Sequence, residues 1–189
     1  MKKVFALILG TSFLLCGSKA FSQIFISFLT NTGAVNSNVP AENTSPAHMN
    51  ETEIMSLSSG FSNPAAIGAG TSGMSAGKVS ISDISFMKPV GKLSSALIAA
   101  ICKGTHYDKI EVRFYANNPV GGKPYRYLVI ALDQVRISSL KQSASGNERP
   151  SEDVSLAFAK ISWNYFEPDA TGKIVTAGTA SWDIITQAQ

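Results

Sequence analysis

Residues 77–107, GKVSISDISFMKPVGKLSSALIAAICKGTHY, predict one β-strand, a short loop and one α-helix. Ile81 follows the alternation of the first half of the strand, whereas Ile84 and Phe86 follow the opposite parity. Because one inserted residue is enough to move the apolar side chains to the other parity, we expect a β-bulge at residues 82–84.

The second half of this stretch predicts a helix over about residues 92–103, with Ser94 or Ser95 as the N-cap and Gly104 as the stop. The apolar residues at helical spacing are Leu93, Leu97, Ile98 and Ile101. No other segment after residue 22 has a convincing helical pattern, so the sequence indicates a mostly-β protein with one helix.

The first 22 residues have the pattern of a cleavable signal peptide. Lys2 and Lys3 precede an apolar run of 13 residues (4–16), and Ala-Phe-Ser at 20–22 is a small-x-small cleavage site that leaves Gln23 first. The apolar run is shorter than the roughly 20 residues that span a bilayer. We therefore expect export to the periplasm or the extracellular space, with no membrane association after cleavage.

Removal of this segment changes the charge and the cysteine content. The 16 basic residues fall to 13 with the loss of Lys2, Lys3 and Lys19, against 13 acidic residues, so the net charge is about zero. A neutral chain does not favour nucleic acid as a partner. Cys102 is left without an intramolecular partner, and we expect it to be a small buried apolar residue rather than a reactive thiol.

The remaining residues, 23–189, suit a single domain. Further strands are predicted at 24–29, 52–61, 109–115, 125–139, 154–166 and 180–185, and long loops at 30–50, 62–76 and 141–150. A change of parity within 154–166 indicates a bend near Ala159 and Lys160. About seven strands with long loops indicate a compact barrel or sandwich.

The predicted strand at 125–139 is apolar on both faces in its middle. Val129 and Ala131 lie on one face, and Ile130 and Leu132 lie on the other. Since one face of an antiparallel sheet usually meets water, we expect the second apolar face to be covered by the helix or by another subunit.

Two motifs resemble active-site signatures but lack the context that these signatures need. Residues 73–77 match G-x-S-x-G, yet a loop precedes them and a strand follows. Residues 68–73 match G-x-G-x-x-G, without the preceding strand and following helix of a dinucleotide site. His48 and His106 are the only histidines, and no metal-ligand spacing is present. We therefore predict no catalytic, cofactor or metal site.

The order of segments resembles the haemolysin-coregulated proteins (Hcp), the tube subunits of type VI secretion systems. The matching pieces are GKVSISDISFMKPV, LSSALIAAICKGTHY, YLVIALDQVRISS, SGNERPSEDVSLAFAKISWNY and the terminal SWDI, within residues 51–189. The resemblance implies a compact β-barrel of two curled antiparallel sheets, one flanking helix at about 92–103, and hexameric rings that stack into a tube. It also implies the spike, sheath and effector proteins as partners, and no enzymatic activity.

The chain departs from this family in three places. It has a signal-like start, its 30–50 loop is longer, and Ser58-Ser59-Gly60 stands where an aromatic residue is expected. A subunit that leaves by the general export route cannot join a cytoplasmic tube. An exported barrel that serves as a periplasmic or extracellular binding or adaptor module, without a tube, is therefore the alternative.

Two groups of residues are candidates for assembly contacts. The charged residues Glu148, Arg149, Glu152 and Asp153 crowd a loop and the start of the strand after it, and similar pairs at a repeated interface can set register. We predict that Arg149 and at least one of the three carboxylates lie at a subunit boundary. The resemblance implies that the Gly-rich loop, with Gly68, Gly70, Gly73 and Met74, reaches the neighbouring ring.

Overall fold

The computed structural model describes residues 23–66, 75–76, 78–118 and 123–188, and these form a mostly-β fold with one α-helix. The elements in chain order are β1 (Gln23–Leu29), β2 (Thr52–Ile54), β3 (Ser56–Ser58), β4 (Phe61–Ser62), β5 (Ala65–Ala66), β6 (Ser75–Ala76), β7 (Ser80–Ile81), β8 (Ile84–Pro89), α1 (Lys92–Lys103), β9 (His106–Ala116), β10 (Tyr125–Ser143), β11 (Ser151–Ala157), β12 (Lys160–Pro168) and β13 (Ile174–Asp183). The predicted signal peptide lies outside the described residues.

Nine strands join in one antiparallel sheet. Seven follow the order β2-β1-β9-β10-β11-β8-β3, while β12 pairs with β10, and β13 pairs with β12. The 19-residue β10 is the centre of this sheet, because its first half lies between β9 and β12 and its second half pairs with β11. The strands β4 and β7, and β5 and β6, form two small separate pairs.

The two ends of the seven-strand path are consecutive in the chain. β2 pairs with β1 and β3 pairs with β8, and between them the Met55 N–H donates to the Met87 carbonyl at 2.7 Å. The sequence predicts two curled sheets, but the described residues place the main strands in a single large sheet. One feature of the described residues agrees with a curled sheet: within the short segment 52–58, β2 pairs with β1 and β3 pairs with β8.

The helix was predicted with the correct bounds and stop but the wrong cap. Gly104 ends α1 in the left-handed conformation, with a φ of 63°, as expected for a C-terminal glycine. The N-cap is Gly91, and Ser94, three residues on, accepts the Gly91 N–H at 2.9 Å. Neither Ser94 nor Ser95 is the cap, because the helix begins at Lys92.

The predicted bulge at 82–84 is wrong, although the change of parity that suggested it is present. Residues 80–81 pair with β4, and the chain then enters the main sheet at Ile84, between β3 and β11. Ile84 and Phe86 are buried in the core, so the parity changes where the strand leaves one sheet for another.

Several predicted boundaries differ from the structure. The strand predicted at 52–61 is three short strands, and the loop predicted at 62–76 contains the paired β5 and β6. The strand predicted at 154–166 divides into β11 and β12 at the expected bend, where the Ala159 N–H donates to the Asp133 carbonyl at 3.1 Å. Cys102 is exposed on α1 rather than buried.

The core lies between α1 and one face of the large sheet, and both faces of β10 are buried in its middle. Ile130 and Leu132 belong to the core that α1 joins through Leu93 and Leu97. Val129, on the opposite face, is outside that core but only 7% exposed. Its cross-strand neighbours there are polar residues of β9 and β12, so the helix does not cover the second face.

Candidate functional site

The loop between β1 and β2 lies along the edge of the sheet, and we call residues 30–51 the strap. Its first half is attached to β1, since the Asn36 N–H donates to the Phe28 carbonyl at 2.9 Å. Its second half is attached to β2, where the Glu42 N–H donates to Thr52 Oγ1 at 3.2 Å. The strap is thus a docked element, which brings its acidic residues to the main sheet.

The first charged cluster centres on Lys88, whose side chain is 0% exposed. Its ammonium group lies 2.8 Å from Glu42 Oε1 of the strap and 3.1 Å from Glu152 Oε1 of β11. It also donates to the Pro89 carbonyl at 2.7 Å and to Ser94 Oγ at 3.3 Å. A buried ammonium group needs such partners, because desolvation of an unpaired charge is costly.

Glu42 also supplies the cap that the start of the helix lacks. The N-cap glycine has no side chain, and the first turn of α1 contains no acidic residue. Instead, the Leu93 N–H donates to Glu42 Oε1 at 3.2 Å. The carboxylate lies so close to Gly91 that a Cβ at this position would overlap it, which explains the glycine.

The second charged cluster lies on the outer face of β1 and β9, beneath the end of the strap. Arg113 Nη1 lies 2.6 Å from Glu51 Oε1, and the Tyr115 hydroxyl donates to the same oxygen at 3.1 Å. His48 Nδ1 lies 3.0 Å from Glu51 Oε2, and its ring stacks on Phe25 with 4.1 Å between the ring centres. The strap is therefore held at this end by an aromatic stack and a buried carboxylate.

The pKa values of Tyr115 and Arg113, the two donors to Glu51, are both raised. Burial, followed by the charge of Glu51 and the hydrogen bond to it, raises the pKa of Tyr115 to about 12. Burial is the largest single influence and would lower the pKa of Arg113, but the hydrogen bonds to Glu51 and Glu111 and the charges of these two carboxylates together raise it. Both shifts favour the protonated donors that Glu51 needs.

The four predicted boundary residues do not form one cluster. Arg149 is exposed and donates to the Val90 carbonyl at 2.7 Å, and Glu148 is also exposed. Asp153 lies half-buried between Met87 and Lys141 of the neighbouring strands. Glu152 is 1% exposed, so its carboxylate is used inside the subunit by Lys88 and Ser94.

Arg149 lines an open cleft of about 390 Å³ beside the strap. Beside this cleft, the Met55 N–H donates to the Met87 carbonyl of β8. Pro89, two residues further on in β8, has no N–H group to donate. The cleft is lined by Glu42, Asn43, Thr44, Glu53, Ile54, Met55, Pro89 and Arg149. Of its two carboxylates, Glu42 is paired with Lys88 and Glu53 belongs to β2, and among the described residues they are not part of a group of metal ligands.

The predicted stacking residues Gly68, Gly70, Gly73 and Met74 lie outside the described residues, as does most of the two Gly-rich motifs. The described base of this segment is a paired ribbon, in which Phe61 pairs with Ile81. Phe61 also contacts Trp163 of β12, with 5.2 Å between the ring centres. The contact between Phe61 and Trp163 therefore packs the base of this ribbon against β12.

Both histidines make side-chain contacts within the subunit. His48 belongs to the Glu51 cluster, and His106 Nε2 accepts a hydrogen bond from Arg136 Nε at 2.7 Å. Across the described part of the chain, no three His, Cys, Asp or Glu residues are grouped as metal ligands. The same residues include no helix that is long and apolar enough to cross a membrane.

Sequence reasoning missed Lys88, Glu42, Glu51 and Arg113, the residues that organise both clusters. The one local signal is Lys88, an inward position in a strand whose neighbours Ile84 and Phe86 are core residues. A charged residue at a core position predicts a buried partner. Its partners lie 46 and 64 positions away, so the chain order alone does not identify them.

Comparison with known proteins agrees with this architecture. Residues 28–165 match the family described as the type VI secretion system effector Hcp. Protein hcp1 of Pseudomonas aeruginosa is 33% identical over 96 residues, which span 50% of this chain and 58% of that relative.

Two solved structures share the fold at lower identity. A structure of a type six secretion system protein superposes with a TM-score of 0.74 at 23% identity, over 89% of this chain and 99% of its own. Hcp1 from Salmonella typhimurium superposes with a TM-score of 0.65 at 20% identity, over 88% and 97%. Because the family match covers most of the chain, this protein belongs to the Hcp family of type VI secretion effectors.

Proposed function

We propose that this chain is a structural subunit that assembles into hexameric rings, which stack into a tube for effector passage. The observation that carries the proposal is the family match over residues 28–165, together with a fold that covers nearly the whole of a solved type VI protein. The proposed subunit is a single domain, residues 23–189, in which residues 52–58 join β1 and β8 to curl the sheet into a barrel. Spike, sheath and effector proteins are the proposed further partners.

Arg149, with Glu148 or Asp153, is proposed to lie at the boundary between subunits of one ring. Arg149 and Glu148 are exposed, and Asp153 is half-buried on the surface of β11, so their charged groups can reach a neighbour. Glu152 is proposed to act on this boundary only indirectly, because its buried carboxylate pairs with Lys88 inside the subunit. The Gly-rich loop at 68–74 is proposed to contact the next ring, and the paired base at Phe61 and Ile81 supports its projection as a ribbon.

The mass and shape of the purified protein test this proposal. Light scattering and negative-stain microscopy should give six times the subunit mass and a six-fold ring. A monomer at every concentration tested would contradict ring formation. It would favour the alternative, an exported Hcp-like adaptor module, which the signal-like pattern of residues 1–22 supports.

The proposed location is outside the cytoplasm, after cleavage before Gln23. Mass spectrometry of protein recovered from periplasm and culture medium tests this location. An N-terminus at Gln23 in either fraction is the expected result. Intact residues 1–22 on assembled rings would contradict cleavage and would place the subunit on the ordinary route of type VI secretion.

A further inference from the structure

The start of helix α1 is held by three groups from two distant parts of the chain, the strap and residues 149–152. Glu42 of the strap accepts the Leu93 N–H at 3.2 Å, and Glu152 of β11 accepts the Ser94 hydroxyl at 2.8 Å. Arg149 donates to the carbonyl of Val90, which directly precedes the N-cap, at 2.7 Å. The N-cap glycine has no side chain, the first turn has no acidic residue, and Ser94 Oγ accepts the Gly91 N–H, so the Leu93 N–H depends on a remote acceptor.

The strap is positioned for capping by contacts that do not involve the helix. The buried hydroxyl of Thr52 accepts the Glu42 N–H at 3.2 Å, and the Asn43 N–H donates to the Glu51 carbonyl at 3.0 Å. These two bonds hold the backbone N–H groups on both sides of the Glu42 Cα. The Glu42 carboxylate therefore meets α1 only when the strap is docked on β2.

We propose that the strap and the first turn of α1 form one conformational switch, which Glu42 closes. In the closed state the strap caps the helix, pairs with Lys88 and forms one wall of the cleft that Arg149 lines. In the open state the strap leaves β2, the Leu93 N–H loses its acceptor, and the first turn of α1 loosens. The switch couples the strap to the surface around Arg149 and does not depend on ring formation.

Hydrogen exchange of the full chain with Thr52→Val tests the coupling, because the Thr52 hydroxyl bonds the strap rather than α1 and valine has nearly the same shape. The expected result is exchange about five-fold faster or more at Asn43 and, equally, at Leu93, which corresponds to the loss of a capping contact. Amides in the middle of β9 and β10 should keep their rates. Thr44→Val, at an exposed strap position, is the matched control and should change neither site.

Three results would overturn the proposal. Faster exchange at Asn43 with an unchanged rate at Leu93 would mean that the strap and the helix open independently. An equal rise in every strand would mean that the substitution only lowers global stability. Unchanged rates at both amides would mean that Thr52 does not hold the strap.

A second variant tests the switch by removing the Glu42 carboxylate. Glu42→Ala removes the cap and one partner of Lys88, so both the first turn of α1 and the strap around Asn43 should exchange faster. Glu167→Ala, at an exposed position of β12, is the control and should leave both unchanged. A change confined to Leu93 in Glu42→Ala would contradict a shared opening.

Discussion

Single residues decide how the strap is held, and Gly91 is the clearest case. Its conformation is extended and open to any residue, with a φ of −161°. What excludes a side chain is the Glu42 carboxylate, which fills the space that a Cβ would take. Gly91 is therefore required for close approach and not for backbone freedom.

Gly91→Ala is expected to lower the free energy of unfolding by about 1–3 kcal/mol, the usual cost of overpacking a tight site. Urea denaturation measures this change. Gly146→Ala is the control, because a Cβ there meets open space, and its effect should stay within about 0.5 kcal/mol. Equal stability of the two variants would show that the strap carboxylate moves away freely.

Tyr115 makes stability depend on alkaline pH. Its pKa is about 12 in the folded protein because of burial and Glu51, against 10.0 for the unperturbed side chain. A pKa that folding raises stabilises the protein fully below the unfolded value, and this contribution is lost as the pH rises from about 10 towards 12. The alkaline limb of the stability curve should thus contain a Tyr115 component.

Tyr115→Phe should flatten this alkaline limb, because phenylalanine has no proton to lose. The measurement is urea denaturation of both proteins between pH 9 and about pH 12. The stability gap between wild type and variant should be largest at pH 9 and shrink as the pH rises. Tyr165→Phe, at an exposed tyrosine, provides the control; a gap that stays constant for Tyr115→Phe would contradict the assignment.

At the scale of elements, β8 joins the strap, the helix and β11 through one buried ion cluster. Lys88→Met should leave Glu42 and Glu152 without their cation and lower stability by about 3–5 kcal/mol, the typical cost of breaking a buried pair. Thermal and urea unfolding measure the loss. Lys92→Met, on an exposed position of the helix, should change stability by less than about 0.5 kcal/mol.

The behaviour of a double variant separates charge from packing in this cluster. If Lys88→Met is destabilising because two carboxylates lose their partner, then adding Glu152→Gln should recover part of the stability. Additive losses would instead indicate that the lysine stem is needed for packing.

The elements that could be predicted from sequence are those whose signals are local. Helix α1 is encoded by Leu93, Leu97 and Gly104, and its bounds agree with the structure. The N-cap was misplaced because the capping group, Glu42, comes from 51 residues away. The docked strap was likewise predicted only as a long loop, since its order depends on remote partners in β8 and β9 rather than on its own periodicity.

At the scale of the whole molecule, the family could be identified from the order of segments, while the number of sheets could not. Periodicity locates β10, but it does not show that one strand has β9, β11 and β12 as partners. The four residues predicted at the subunit boundary include both exposed and buried charges. The alternation of β11 does separate two of them, because Glu152 shares the inward parity of Val154 and Leu156, whereas Arg149 precedes the strand.

Arg149→Glu tests the proposed boundary at this scale. The side chain is exposed and donates a hydrogen bond to the Val90 carbonyl, so the variant should fold with only a small change in melting temperature. At a boundary repeated in every subunit, the reversed charge should repel the neighbour and shift hexamers towards monomers in light scattering, most strongly at low ionic strength. Lys173→Glu, at an exposed turn between β12 and β13, makes the same charge change and should leave the hexamer intact.

The two readouts of this variant separate a boundary role from a folding role. Loss of hexamer with an unchanged melting temperature places Arg149 between subunits, whereas parallel loss of both would assign it to the start of α1 through Val90. An unchanged hexamer with an unchanged melting temperature would remove Arg149 from the boundary. In that event the predicted pairing of Arg149 with a carboxylate would fail, and the ring contact would have to be sought elsewhere.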